Sequence, residues 1–496
     1  MISKKRISAA LLAIIIFTAS CAKNPVSGMP DFVTITEQQE LGIGASYHAK
    51  ILEGSRVLHN KELNDYFENL GQMIAKKSHR PNLNWQFTLI DDPTFNAFAT
   101  PGGYIYFYRG ILPYFNSEEE LAGVLGHEIG HITARHAVRG MSTAQITNLL
   151  IGIVASRVPG GQITDNAFNL LNMAINRGYS RKFELEADQL AKDYLEKANY
   201  DTAAIEKFLK IMNDRDNLEI KIAKAEGREP AVGYHGIFSS HPDTEKRITE
   251  VKNNTGINNT KKIQKNNKER FLKMIDGLVY GQSPDEGYVK KNTFYHPDLA
   301  IKFSFTEPWL LENNPDNLIL NNETSKIIIR YEELLRDDID NGLTPEEFLN
   351  DGIKQTSFLS RNEKVESERF NNNSLIGYSI LYTSKSGFTE IYKRFTAIFD
   401  LEKKPKVWIF VSTVDDYSKD KNVLRILKTF SKMTSQEIKD SKGLRIKVIR
   451  FRKGMTYEKL AKESPLGKYA VNKLRLLNGH YPDKNPEFGD LIKVVE

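Results

Sequence analysis

Cysteine is almost absent from these 496 residues: Cys21 stands alone, so no disulfide can close within the chain. Histidine is scarce, with ten positions. Charge of one sign is not in large excess. The formal balance is +6, falls to +3 once Lys4, Lys5 and Arg6 are set aside, and is spread out, which argues against a nucleic-acid partner. Long hydrophobic runs are missing beyond the N-terminus. The stretch ITNLLIGIVAS (146–156) is apolar. It is shorter than the roughly 20 residues a membrane helix needs, so it is expected to cap a core or form a substrate-facing lip, and the chain is not expected to be an integral membrane protein.

Two of the scarce histidines flank a glutamate in LGHEIGHITARH (125–136). At i and i+4, His127 and His131 lie on one helix face and can share a metal ion. Glu128, about 100° round, can reach a metal-bound water without being a ligand. Helix is expected here: Ser117 and Glu120 fit a capping box, and Leu121, Val124, Leu125, Ile129 and Ile132 keep helical period. Gly140 is the expected stop. Gly123, Gly126 and Gly130 each cost about 1 kcal/mol of helix propensity, which burial in a crowded site offsets. On a continuous helix His136 points about 140° away from His131 and reads as a structural or surface residue.

A zinc hydrolase needs a third protein ligand. In YSRKFELEADQLA (179–191), Glu184 and Asp188 are again i and i+4. Glu184 can bind a metal, and Asp188 can accept the second ring N–H of a ligand histidine. The same run also fits an exposed acidic helix paired with Arg181, Lys182 and Lys192.

H-E-x-x-H followed some fifty residues later by Ser180, Arg181, Glu184, Glu186, Ala187 and Asp188 resembles the CaaX-prenyl-protease-type zinc metalloendopeptidases, in their bacterial periplasmic lipoprotein branch. NAFATPGGYIYFYRGIL (96–112) and SSHPDTEKRI (239–248) add to a resemblance that spans about residues 24–260. It implies one Zn²⁺ per chain on His127, His131 and Glu184, with Glu128 as base. It places His241 near the metal, as a donor to the oxyanion or as a fourth ligand that gates the site, and Arg247 behind it as the other candidate donor. His241 precedes Pro242, which favours extended geometry and a loop position. The segment Asn96, Ala97, Phe98, Ala99 is expected to hold substrate backbone by β-augmentation; a plain hairpin is the alternative.

At the N-terminus a basic Lys4-Lys5-Arg6 cluster precedes the apolar AALLAIIIFTA (9–19), and TASC (18–21) resembles a bacterial lipoprotein signal. Residues 1–20 are expected to be removed and Cys21 to carry lipid; Thr18 departs from the aliphatic residue usual there. Ala22 in place of aspartate favours the outer membrane. The expected fold class is α+β, in three parts: a mainly helical zincin-type metalloprotease domain with a small sheet (21–253), a sandwich-like accessory domain (291–436) after a linker and short helix (254–290), and a small C-terminal module (441–496). The last reads strand–helix–helix–strand and resembles a LysM module, which implies peptidoglycan binding.

The expected function is zinc-dependent peptide hydrolysis in the cell envelope, acting on misfolded or unassembled envelope proteins, with a lipid anchor to the membrane. The rival is a cell-wall-binding lipoprotein whose metal site is structural or silent; Glu128 beside the two histidines argues against it.

Overall fold

The computed structural model describes residues 21–143, 179–230, 241, 247–250, 265–306, 308–314, 316–354, 362–372, 374–386, 389–402, 404–441 and 443–496. The expected signal segment, the apolar run 146–156 and most of SSHPDTEKRI lie outside them. The chain divides into two units, Met1–Gly281 with Leu444–Glu496, and Gln282–Gly443. Helix and sheet are mixed, and no described helix is long and apolar enough to cross a membrane.

The first unit begins with a short pair, β1 (Cys21–Lys23) and β2 (Pro30–Phe32). Helix α1 (Glu37–Gly54) starts on a complete capping box between Thr36 and Gln39. Helix α2 (Lys61–Ala75) buries Leu63, Phe67, Leu70 and Ile74 along one stripe. Strands β3 (Gln86–Ile90), β4 (Ala97–Thr100) and β5 (Tyr104–Tyr108) form a sheet in the order β3-β5-β4, with β5 parallel to β3 and antiparallel to β4. β4 is therefore an edge, and it packs against the next helix, α3 (Glu118–Thr133).

Every residue of α3 is buried. Ser117 caps it by accepting the Glu120 N–H, but the Glu120 carboxylate turns back to the Asn116 N–H. The expected capping box is thus displaced by one residue. Helices α4 (Arg181–Lys197) and α5 (Ala204–Glu226) pack on α3. The three glycines of α3 face these partners. A β-carbon on Gly126 would lie 3.3 Å from Ala191 Cα, and one on Gly130 would lie 3.1 Å from the Ala187 carbonyl. Helix propensity is given up so that α4 can approach this closely. Helix α6 (Lys265–Met274) is the short helix expected within 254–290, and its Arg270 and Asn267 bind Glu118 and Glu119 on the first turn of α3. Strand β6 (Val279–Tyr280) follows.

Among the described residues the second unit holds two antiparallel sheets. One has the order β17-β9-β8-β7, from β7 (Tyr288–Lys290), β8 (Thr293–His296), β9 (Ile301–Ser304) and the late β17 (Ser431–Lys432). The other runs β10-β11-β12-β16-β15-β14-β13. Its members are β10 (Leu310–Asn313), β11 (Leu318–Asn321), β12 (Ser325–Glu333), β13 (Asn362–Asn372), β14 (Leu375–Ser386), β15 (Thr389–Asp400) and β16 (Lys406–Val414). Strict alternation explains how both faces are covered. Val407 and Ile409 of β16 join Leu349 and Ile353 of α7 (Pro345–Lys354), while Trp408 and Phe410 join Val423 and Ile426 of α8 (Tyr417–Thr429). Strand β13, NEKVESERFNN, was not expected from its sequence. It is an outer strand, where charged side chains protect a free edge.

The chain then returns to the first unit. β18 (Leu444–Arg450) pairs with both β6 and β19 (Leu491–Val495), with helices α9 (Tyr457–Glu463) and α10 (Ala470–Leu477) between. Lys493 of β19 is fully buried and donates to the carbonyls of Pro113 and Phe115 at 2.7 and 2.5 Å, which ties this segment to the approach of α3.

Candidate metal centre

The close seam between α3 and α4 brings two helix faces together. His127 and His131 project from one, Glu184 and Asp188 from the other, and His241 closes the cluster. One ligand-type atom from each of His127, His131, Glu184 and His241 lies within 4.8 Å of the others, and all four residues are buried. His131 Nε2 is 3.0 Å from His127 Nε2, which is 3.2 Å from His241 Nδ1. The Glu184 carboxylate lies 3.1–3.2 Å from His241 Nδ1 and 3.5 Å from each of the other two rings.

These separations are informative. Zinc holds N and O ligands at about 2.0–2.1 Å, so the edge of a tetrahedral site is about 3.3 Å. Ring nitrogens facing one another at such distances, next to a carboxylate, have the donor chemistry of a zinc site. Both Glu128 oxygens and His241 Nε2 are buried without a hydrogen-bond partner among the described residues; Nε2 is 3.4 Å from Glu128 Oε1. Orphaned buried groups of this kind are costly unless water, substrate or an ion completes them. The residues fit a zinc ion, with an acceptor left free beside it.

The surroundings set the charges. Asp188 accepts from Arg247 at 2.7 and 2.8 Å and lies 2.9 Å from His127 Nδ1. Burial opposes ionisation of Asp188, but the Arg247 guanidinium outweighs it and holds the carboxyl down at about 2. Glu184 is likewise held well below its ordinary value: burial raises it, and the His241 ring and Arg247, whose Nη1 is 2.9 Å away, overcome that. Burial pushes His131 well below the usual imidazole range. Glu128 moves the other way, raised by burial against the pull of the His241 and His127 rings.

The remaining candidates are placed as follows. Arg247 sits behind Glu184 and Asp188, paired to both. Ala97, Phe98 and Ala99 form β4, with Asn96 just before it capping the Ala97 N–H. Cys21 begins β1. Two expectations are corrected. The helix does not run on to stop at Gly140: α3 ends at Thr133, Arg135 takes a left-handed conformation (φ 55°), and helix resumes over 136–143. His136 is consequently neither turned away nor on the surface. It is completely buried, with Nδ1 2.9 Å from His131 Nδ1. No local signal in the sequence announces the break. It is held from a distance, by Glu40 of α1 and the Ile35 carbonyl, both of which accept from Arg135.

A buried N/O donor set with an unpartnered carboxylate at its side is the arrangement of a metallohydrolase. Residues 61–255, which contain the whole site, match the model described as Peptidase family M48. The mitochondrial metalloendopeptidase OMA1 of Schizosaccharomyces pombe is 31% identical over 207 residues, 42% of this chain and 53% of that one. The beta-barrel assembly-enhancing protease of Escherichia coli is 26% identical over 248 residues, 48% of each. A Vibrio cholerae homologue of the latter is 31% identical over 244 residues, 46% of this chain and 48% of that one. The chain thus spans about half the length of the curated relatives it matches.

Proposed function

We propose that this protein is a zinc-dependent endopeptidase of the bacterial cell envelope that degrades misfolded or unassembled envelope proteins. The observation that carries the reading is Glu128, a buried carboxylate with no hydrogen-bond partner among the described residues, beside the His127, His131, Glu184 and His241 cluster. A structural metal site has no use for such a group. Zinc bound by His127, His131 and Glu184 supplies Lewis acidity at the scissile carbonyl. Glu128 takes a proton from the attacking water and delivers it to the leaving amine. Asp188, backed by Arg247, holds the His127 ring by its Nδ1–H. As an edge strand of its sheet, β4 with Asn96 before it would receive an extended substrate at Asn96 to Ala99. His241 has Nδ1 among the ligand atoms and Nε2 3.4 Å from Glu128 Oε1; it would either close the open metal position as a fourth ligand or act as donor to the oxyanion. Arg247, already engaged by two carboxylates, serves as their counter-charge rather than as that donor.

The name of the bacterial relatives, which speaks of β-barrel assembly, supports envelope substrates. The chain would carry a signal at 1–20, lipid on Cys21 as an outer-membrane anchor, a protease domain over 21–253, a linker and short helix over 254–290, an accessory domain over 291–436 and a LysM-like glycan-binding module over 441–496. Strand β18, helices α9 and α10 and strand β19 have the βααβ order of such a module. Purified protein is expected to hold one zinc and to cleave an unfolded protein, and Glu128→Gln to keep the zinc while losing about 10²–10⁴-fold in turnover. Wild-type turnover by that variant would remove Glu128 from the mechanism. Cleavage by neither protein, at full zinc occupancy, would favour the rival glycan-binding lipoprotein with a silent site.

A further inference from the structure

We infer that His136 and Glu186 are positioning residues that set the tautomer and orientation of His131 through a relay of two hydrogen bonds. The inference rests on the reading of His131 as a metal ligand. A neutral imidazole that offers Nε2 to a metal carries its proton on Nδ1, and that N–H needs an acceptor. For His127 the acceptor is the Asp188 carboxylate, 2.9 Å away. For His131 no carboxylate among the described residues stands there. The group within reach is His136 Nδ1, at 2.9 Å, with both rings buried.

Two imidazole nitrogens can share a hydrogen bond only if one of them is bare. Glu186 decides which. Its Oε2 lies 3.2 Å from His136 Nε2 and also accepts from Arg139 at 3.0 Å. A carboxylate paired with a guanidinium is an acceptor only. The His136 proton therefore sits on Nε2 and points at Glu186, and Nδ1 is left as a lone pair. It receives Nδ1–H of His131, whose Nε2 then faces the metal cluster. Stacking fixes both planes: His136 lies on Phe183 (4.4 Å, 9°) and His131 on Tyr179 (4.2 Å, 22°).

The backbone is built for this contact. His136 returns toward His131 only because the chain breaks at Ala134–Arg135, and a left-handed arginine is an uncommon conformation that the surrounding contacts must hold. Glu186 lies on α4, two residues from each of Glu184 and Asp188, and so reaches a face of the site that neither of them covers. The two ligand histidines are thus backed unequally. One rests directly on a charge; the other reaches its carboxylate through a second ring.

The test compares His136→Ala, His136→Asn and Glu186→Ala in the full chain, reading zinc affinity by chelator competition, the visible spectrum of the cobalt-substituted protein, and far-ultraviolet circular dichroism. Asparagine places Oδ1 where His136 has Nδ1. Zinc affinity is expected to fall about 10- to 100-fold in His136→Ala, to return to within about threefold of wild type in His136→Asn, and to fall by less in Glu186→Ala, in the range typical of lost outer contacts. The cobalt spectrum should change in the alanine variants and be restored in His136→Asn. Folded His136→Ala with wild-type affinity and spectrum would overturn the inference, as would equal losses in the alanine and asparagine variants, which mark a packing role. Should His136→Ala not fold, the contrast between His136→Asn and Glu186→Ala decides. A wild-type protein that takes up no zinc would instead sink the metal reading, and this inference with it.

Discussion

Each unit buries charge at its centre, and the two do so differently. In the second unit Arg394 is fully buried with four of its five N–H groups accepted: Asp420 takes two, Ser379 a third at 3.1 Å, and Glu366 a fourth at 2.5 Å. In the first unit the cluster around His127 has rings facing rings, and Glu128 has no hydrogen-bond partner among the described residues. A satisfied network is part of the scaffold and calls for nothing further. An unsatisfied one of similar burial is unfavourable alone and becomes favourable when an ion and a substrate fill it. The contrast separates a structural polar core from a functional one without reference to motif.

The largest effect is expected from breaking the satisfied network. Arg394→Met should cost about 3–5 kcal/mol, because it strands Asp420 as an uncompensated buried charge. Denaturant unfolding followed by Trp309 and Trp408 in a Trp85→Phe background measures it, and zinc content should not change. A loss near zero would mean that the arginine is not what holds β15 and α8 together.

The next prediction sharpens the seam that assembles the unsatisfied cluster. Gly130→Ala should weaken zinc binding and lower the thermal midpoint, since a β-carbon there meets the Ala187 carbonyl at 3.1 Å and overpacking of about 1–3 kcal/mol exceeds the gain of about 1 in helix propensity. Gly140→Ala, with nothing within 4 Å of the added atom, should stabilise by up to about 1 kcal/mol. Equal behaviour of the two variants would refute the role given to close approach.

Acid should separate the carboxylates. Asp188 is held at about 2 in the fold, against about 3.9 in an unfolded chain. A depressed carboxyl contributes stability that is whole above the unfolded value and is lost as pH falls through the folded one. Metal-free protein should therefore lose stability in the first unit between about pH 4 and 2, and Asp188→Asn should flatten that slope. The smallest effect has the opposite sign. Glu128 is raised by burial, so its charged form weakens the fold at neutral pH. Glu128→Gln should lift the thermal midpoint of the chelated protein at pH 7, and a drop would show that the carboxylate is satisfied after all.

Periodicity made much of this legible. The strand-like runs 375–384 and 406–413 coincide with β14 and β16, and a Thr36–Gln39 capping box stands at the start of α1. Strand β13 escaped because an edge strand has no apolar face to announce it, and α5 was not anticipated. At the site, the i and i+4 spacings of His127 with His131 and Glu184 with Asp188 placed each pair on a helix face. Only the direction in which His136 points was missed, because it was extrapolated along a helix that ends at Thr133.

The amino-acid sequence alone determined the local quantities: which residues share a face, where helices begin, which runs alternate. These depend on bond geometry and on neighbours a few positions away. The tertiary structure decided which faces meet, that Gly126 and Gly130 admit α4 against α3, and that Glu40, some ninety residues upstream, holds Arg135 left-handed and so turns His136 back toward His131. Contacts between residues far apart in the chain leave no mark at either position when each is read alone, because their energy belongs to the pair.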